Sequence, residues 1–186
     1  IVDPSGDSDL ILDTITEREL TPLCCFITHT HHDHIDAIGE VLRAYLVPIY
    51  VHKKGAGNII SPGPIQTITD DTTLDFVGNP IDVRYTPGHA DDALCFYIDD
   101  ATAADGIPKV ITGDTLFVGG CGRTTADRVK DLYESLQELK TLPDETIVYP
   151  GHDYGETPTS TIGHEKQHNR FLLAPDFNSF KQERLG

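Results

Sequence analysis

The chain has 186 residues, 38% of them apolar, which suits a folded domain with a substantial core. Its 30 acidic residues against 14 basic ones give a net charge of −16, which argues against a nucleic-acid partner because such a surface repels phosphate. No apolar run approaches the ~20 residues of a membrane span. The charge fits either a salt-adapted surface or an ordinary acidic protein. Reduced thiols and a cytoplasmic location are expected from four cysteines without CxxC spacing: Cys24, Cys25, Cys95 and Cys121.

Short apolar segments alternate with two helical patterns along the chain. Residues 1–4 are typical of a strand end entering a turn, and residues 29–36 and 99–108 form polar stretches. Apolar residues recur at helical spacing in residues 37–46 and 127–142, and the tail at about 160–186 is expected to carry one or two helices. This mixture predicts one α/β domain over residues 1–186, with sheets covered by helices. The predicted strands are residues 23–28, 48–52, 65–68, 73–77, 81–86, 93–98, 109–112 and 146–149.

The first chemical motif is an HxHxDH sequence directly after a predicted strand. Imidazole nitrogens and carboxylate oxygens are ligands for zinc, iron or manganese, and so many of them in six residues have little structural purpose. His32 occupies the variable position and is expected not to bind. The candidate ligands here are His29, His31, Asp33 and His34.

Three further candidate ligands follow predicted strands: His89 in Thr-Pro-Gly-His, Asp114 in Thr-Gly-Asp-Thr and His152 in Tyr-Pro-Gly-His. Alone, each fits an exposed histidine or an ordinary aspartate turn. Together with the HxHxDH motif, they predict a metal site at the ends of several strands.

In these motifs and their order, the sequence resembles the metallo-β-lactamase superfamily over nearly its whole length. The resemblance implies a four-layer αβ/βα sandwich, whose first strands would precede Ile1. It also implies two divalent metal ions, zinc above all, with iron or a mixed pair as alternatives. By position, the first metal would take His29, His31 and His89, the second Asp33, His34 and His152, and Asp114 would bridge them.

Such a metal pair would lower the pKa of a shared water and supply hydroxide at neutral pH without a protein nucleophile. Asp33 and Asp114 are therefore the expected catalytic residues, with Asp33 also orienting the hydroxide. The implied activity is hydrolysis. A metal-binding regulatory protein is the non-enzymatic alternative.

Two branches of the superfamily share features with this chain. The stretch GDTLFVGGCGR resembles hydroxyacylglutathione hydrolases (glyoxalase II), which implies hydrolysis of a glutathione thioester or a related thioester or ester. The sequence HDYG, followed by Ser160, Thr161 and Glu165, resembles persulfide dioxygenases, which use a single iron. A lactonase or β-lactamase is a further alternative.

Both branches place a GCG(R/K) loop and a tyrosine near the thiol of their substrate. This resemblance makes Arg123 a candidate partner of a substrate carboxylate, with a surface ion pair as the alternative. Cys121 fits a packed core thiol equally well. His52, His164 and His168 match no ligand position and are expected to be structural or exposed. The candidate substrate residues are Cys121, Gly122, Arg123 and Tyr154.

Overall fold

A computed structural model describes residues 1–76, 78–99 and 101–186. Val77, the end of one predicted strand, and Asp100, in the predicted polar turn, lie outside the described residues. The chain divides into two compact units, Ile1–Thr69 and Asp70–Gly186, and the single domain stays a prediction. Within the described ranges, no helix is both long enough and apolar enough to cross a bilayer.

The first unit is built on a three-stranded parallel sheet in the order β1-β2-β3. Helix α1 was not predicted; Asp7 caps it by accepting hydrogen bonds from the backbone N–H groups of Asp9 and Leu10. The predicted polar run contains a single helical turn, α2. The core combines apolar residues of the strands with Ile38 and Leu42 of α3. The elements are α1 (Ser8–Glu17), β1 (Cys25–Phe26), α2 (His32–Ile35), α3 (Ile38–Ala44), β2 (Ile49–His52) and β3 (Ile65–Ile68).

The second unit is built on a six-stranded mixed sheet in the order β11-β10-β7-β6-β5-β4. From β4 to β7, each strand pairs antiparallel with the next strand along the chain, whereas β10 pairs parallel with β7. A two-stranded ribbon, β8 and β9, was not predicted. The strands are β4 (Thr72–Phe76), β5 (Asn79–Tyr85), β6 (Leu94–Ile98), β7 (Lys109–Gly113), β8 (Leu116–Phe117), β9 (Gly120–Cys121), β10 (Ile147–Pro150) and β11 (Ser160–Thr161).

The described part of the second unit contains three helices: α4 (Val129–Leu139), α5 (Ile162–His168) and α6 (Phe177–Leu185). The predicted apolar face of α4 is confirmed, because its residues at helical spacing are buried in the core of the unit. The ring of Tyr133 on α4 packs on Phe177 and Phe180 of α6. The predicted helical tail is therefore present as α5 and α6.

Candidate metal centre

The sheet of the second unit brings three candidate ligands to one edge. Strand β6 is antiparallel to both β5 and β7, and β10 is parallel to β7, so β5, β7 and β10 all run in the same direction. Their carboxyl ends therefore meet at a single edge of the sheet. His89 follows β5, Asp114 follows β7 and His152 follows β10.

The carboxylate of Asp114 lies between the two histidines. Its Oδ2 is 3.5 Å from Nε2 of His89, and its Oδ1 is 3.5 Å from Nε2 of His152. Two ligand atoms each about 2.1 Å from one ion at a tetrahedral angle lie about 3.4 Å apart. The two oxygens therefore fit ligation of two separate ions, one beside each histidine.

His89 is held by the glycine loop, residues 119–123. Its Nδ1 donates a hydrogen bond to the backbone oxygen of Arg123 at 2.8 Å, which leaves the lone pair of Nε2 facing Asp114. A Cβ on Gly122 would lie 2.0 Å from the backbone oxygen of Asp114 and 2.8 Å from the His89 ring. Glycine at position 122 therefore allows the loop to lie against both ligands.

His152 lies in an aromatic environment. Its ring stacks on Tyr154 with centroids 4.9 Å apart and an interplanar angle of 17°. Phe117 packs edge-on against Tyr154 at 5.2 Å. Tyr154 itself is 70% exposed, so its side chain is accessible to a ligand from solvent.

In the first unit, the HxHxDH motif brings its ligand atoms close together. Nε2 of His29 lies 3.0 Å from Nδ1 of His31, and the rings of His29 and His34 have centroids 4.1 Å apart. Ligand atoms of Asp33 and His34 lie within 4.8 Å of each other. Two nitrogens that are each about 2.1 Å from one ion, with a right angle at the ion, lie about 3.0 Å apart. The distance between His29 and His31 therefore suits ligation of one ion by both residues.

Asp3 orients two of these histidines, a role that the sequence analysis missed. Its carboxylate accepts hydrogen bonds from the backbone N–H of Thr28 at 2.7 Å, from Thr28 Oγ1 at 2.6 Å and from His34 Nδ1 at 2.9 Å. Because the Thr28 hydroxyl donates to Asp3, it accepts from His29 Nδ1 at 3.2 Å. Both rings are thus fixed in the tautomer that keeps Nε2 unprotonated for a metal.

Asp3 also has φ of 43°, a conformation unusual for a non-glycine residue, as expected of a strained position near a functional site. The sequence signal that could have revealed it is the carboxylate at a strand-to-turn boundary, because oriented histidines commonly have such a partner.

His52, His164 and His168 are structural or exposed, as predicted, whereas the prediction that His32 binds no metal stays a prediction. His52 is buried, and its Nε2 contacts the backbone oxygen of Thr69 at 3.2 Å. His164 and His168 are exposed and stack on each other on α5. His32 is exposed on α2.

The candidate substrate residues differ in accessibility. The side chain of Cys121 is buried in the core of the second unit, and burial raises the pKa of its thiol to about 12. At neutral pH, the thiol form of Cys121 is therefore favoured over the reactive thiolate. Arg123 and Tyr154 are exposed, so these two can offer side chains to a substrate.

The donor set fits first-row divalent metals. Five imidazoles and two carboxylates, with orienting hydrogen bonds on His29, His34 and His89, match the preferences of zinc, iron and manganese. The assembly of ligands from both units around shared ions stays a prediction.

Comparison with known proteins identifies the family. Residues 1–152 match the Metallo-beta-lactamase superfamily, and the chain belongs to that superfamily. The metallo-β-lactamase fold inferred from the sequence is thereby confirmed.

Three individual relatives are similar to this chain. The chain is 33% identical, over 171 residues, to a hydroxyacylglutathione hydrolase of Edwardsiella ictaluri, covering 91% of this chain and 63% of the relative. It is similar to a metallo-beta-lactamase structure from Staphylococcus aureus at a TM-score of 0.86 and 26% identity, covering 100% of this chain and 58% of the other. It also matches the ETHE1 structure from Myxococcus xanthus at a TM-score of 0.82 and 32% identity, covering 100% and 79%. The chain thus spans less than two thirds of the length of the first two relatives.

Proposed function

We propose that this protein is a metal-dependent hydrolase with a two-metal centre. The observation that carries the proposal is the carboxylate of Asp114, whose two oxygens face the Nε2 atoms of two different histidines. In the proposed centre, Asp114 would bridge two ions, and ligands from both units of the chain would hold them. The proposed ligands are His29, His31 and His89 for one ion and Asp33, His34 and His152 for the other.

Bound divalent cations at such a site supply Lewis acidity, which lowers the pKa of water and polarises a substrate carbonyl. The chain's own residues would position the attacking water and orient the candidate ligands. Asp33 would orient the attacking water, and Asp3 keeps His29 and His34 in the ligating tautomer. We propose zinc as the metal, with iron or a mixed pair as the alternative.

The proposed substrate is a glutathione thioester or a related thioester. Three features support it: the similarity to a hydroxyacylglutathione hydrolase, the glycine loop beside His89, and the exposed guanidinium of Arg123. A guanidinium forms paired, charge-assisted hydrogen bonds with a carboxylate such as those of glutathione. A cytoplasmic location is also proposed, because all four cysteines of the described chain are free thiols.

A second candidate function is persulfide dioxygenation on a single iron. It is favoured by the similarity to ETHE1 and by the motif around Tyr154. This reaction must activate O₂, which requires Fe(II) with open positions beside two histidines and a carboxylate. The two oxygens of Asp114, each facing a different histidine, favour the two-metal hydrolase.

The two functions are separated by metal analysis and two assays on the full chain. We expect about two metal ions per chain, as in two-metal hydrolases, and release of thiol from lactoylglutathione. We expect no oxygen uptake on addition of glutathione persulfide. One iron per chain with rapid, persulfide-dependent oxygen consumption would show that the dioxygenase is correct.

A further inference from the structure

A fully buried carboxylate lies outside the candidate metal centre. Glu165 on α5 has no exposed surface, and it accepts hydrogen bonds from three groups. The donors are Ser160 Oγ at 2.7 Å, the backbone N–H of Gly119 at 2.9 Å and Asn169 Nδ2 at 2.7 Å. Because burial of an unsatisfied carboxylate is costly, these contacts fix the donors relative to α5.

The same region holds the glycine loop at two further points. Asn169 Nδ2 also donates to the backbone oxygen of Gly120 at 2.9 Å. Arg184 Nε, from α6, donates to the backbone oxygen of Gly122 at 3.0 Å. Side chains of the tail therefore bind backbone groups of three of the five residues in the loop.

The sequence around Glu165, His164-Glu165-Lys166-Gln167-His168, has the residue types of an HExxH zinc motif. In that motif the glutamate acts as a base beside a metal held by both histidines. Here His164 and His168 stack on the exposed face of α5, whereas Glu165 is buried on another face. These three residues therefore do not form an HExxH zinc site. The hydrogen bonds of Glu165 indicate instead that it holds the glycine loop.

The position of this loop affects two groups of the proposed site. Its last residue, Arg123, accepts the hydrogen bond that orients His89, and it carries the guanidinium proposed to bind the substrate. Gly122 fits between Asp114 and the His89 ring with no space for a Cβ. His89 and Asp114 are anchored at the ends of β5 and β7, whereas Arg123 belongs to the loop itself. A shift of the loop would therefore displace Arg123 more than the two candidate metal ligands.

We propose that Glu165 is a positioning residue that fixes the glycine loop and thereby sets the affinity for the carboxylate-bearing substrate. The substrate part of this inference rests on the proposed function; the structural part does not. In this proposal, the C-terminal tail helps to form the substrate site and does more than pack against the core of the second unit.

The test compares Glu165→Gln with Leu139→Ala in the full, metal-loaded chain. Glutamine keeps the shape of Glu165 but directs an amide group at hydrogen-bond donors. Leu139 is fully buried on α4, so its truncation weakens the same core without removing any of the hydrogen bonds described above. Hydrogen exchange of the loop amides, metal content, KM and kcat are measured for both variants.

For Glu165→Gln we expect loop amides to exchange about tenfold faster and KM for lactoylglutathione to rise about tenfold, the equivalent of one lost hydrogen bond to a charged group. Metal content should be unchanged and kcat should change less than KM. Leu139→Ala should lower thermal stability but leave loop exchange and KM near their wild-type values.

Three results would overturn the role of Glu165. The first is unchanged exchange of the loop amides in Glu165→Gln. The second is a KM change that Leu139→Ala reproduces, and the third is faster loop exchange with a wild-type KM. If the wild-type protein cleaves no thioester, the proposed function fails, while the exchange comparison still decides whether Glu165 fixes the loop.

Discussion

At the scale of single residues, side chains outside the candidate ligand set orient the candidate ligands. Asp3 illustrates this, because it is distant from the HxHxDH motif in sequence yet fixes the tautomers of two of its histidines. Its carboxylate is only 13% exposed, so its hydrogen bonds are little weakened by water. Removal of this one side chain should therefore affect both metal binding and folding.

We expect Asp3→Ala to weaken metal binding by about 10–100-fold, as for other residues that orient a ligating histidine. It should also lower the free energy of unfolding by about 1–3 kcal/mol, since Thr28 and His34 lose their acceptor. Competition with a chromophoric chelator and urea unfolding measure the two effects. Asp9→Asn, on the exposed surface of α1, is the control, and equal losses in both variants would contradict the role of Asp3.

Asp114 and His32 provide a second comparison at this scale. A bridging carboxylate should cost more to remove than a histidine that binds nothing. We expect Asp114→Ala to lose metal and nearly all activity, whereas His32→Ala, exposed on α2, retains both. Metal analysis and the thioester assay are the measurements. Similar losses in the two variants would mean that the ligands within HxHxDH are wrongly assigned.

At the level of elements, the glycine loop, which includes β9, lies against two candidate ligands of the second unit, Asp114 and His89. The loop approaches Asp114 and His89 more closely than any residue with a side chain allows at position 122. Gly120, two residues earlier, has space for a Cβ, whose nearest neighbour would be 3.8 Å away. The two glycines thus form a matched pair within one loop.

We expect Gly122→Ala to lower stability by about 1–3 kcal/mol or more through steric overlap, and to reduce metal content by displacing His89. Gly120→Ala should leave both quantities near wild type. Thermal unfolding and metal analysis check the pair. A stable, fully metallated Gly122→Ala protein would show that the loop can move away without consequence.

Much of the second unit was predictable from its elements, because buried strands and the amphipathic α4 leave strong patterns. The first unit was less predictable. Residues 23–28 form a strand of only two residues, Cys25–Phe26, although the whole segment is mostly buried and apolar. Helix α1 has a single buried residue, Ile15, so its apolar spacing is weak, and Asp7 as N-cap was the clearest available signal.

The ligand types were predictable because strand ends concentrate them, but their supporting residues were not. Glu165 and Asp3 act through contacts with residues 46 and 31 positions away, and no local pattern encodes such distances. The same holds for Cys121, which is buried in a core that also includes Phe180 of α6. Tertiary context decides these roles.

At the scale of the whole molecule, buried thiols bear on chemical reactivity, and the high negative charge bears on stability in salt. Burial raises the pKa of Cys25, Cys95 and Cys121 to about 12, and it raises the pKa of Cys24 as well. Because the thiolate is the reactive form, native thiols should be inert at neutral pH.

We therefore expect an aromatic disulfide reagent at pH 8 to label no thiol of the native protein within minutes. In denaturant it should label all four cysteines. Absorbance of the released thiolate measures both. A fast-reacting native thiol would contradict the burial described for these side chains.

The net charge of −16 predicts a stability that depends on salt. Screening shortens the range of repulsion from about 10 Å at 0.1 M to about 3 Å at 1 M salt. We expect the Tm to rise between these concentrations of potassium chloride by more than it rises in sucrose of equal osmolality. A flat or falling Tm would indicate that the surface carboxylates do not repel one another.

The order of the large sheet has a consequence for self-association. Its two edges are β11, a strand of two residues that leads directly into α5, and β4, which is longer and exposed. An open edge strand can recruit the edge of another molecule and begin a fibrillar stack. Three exposed carboxylates, Asp70, Asp71 and Asp75, lie at or beside β4. Two copies that approach edge to edge therefore bring like charges together, and β4 carries its own electrostatic gatekeepers against aggregation.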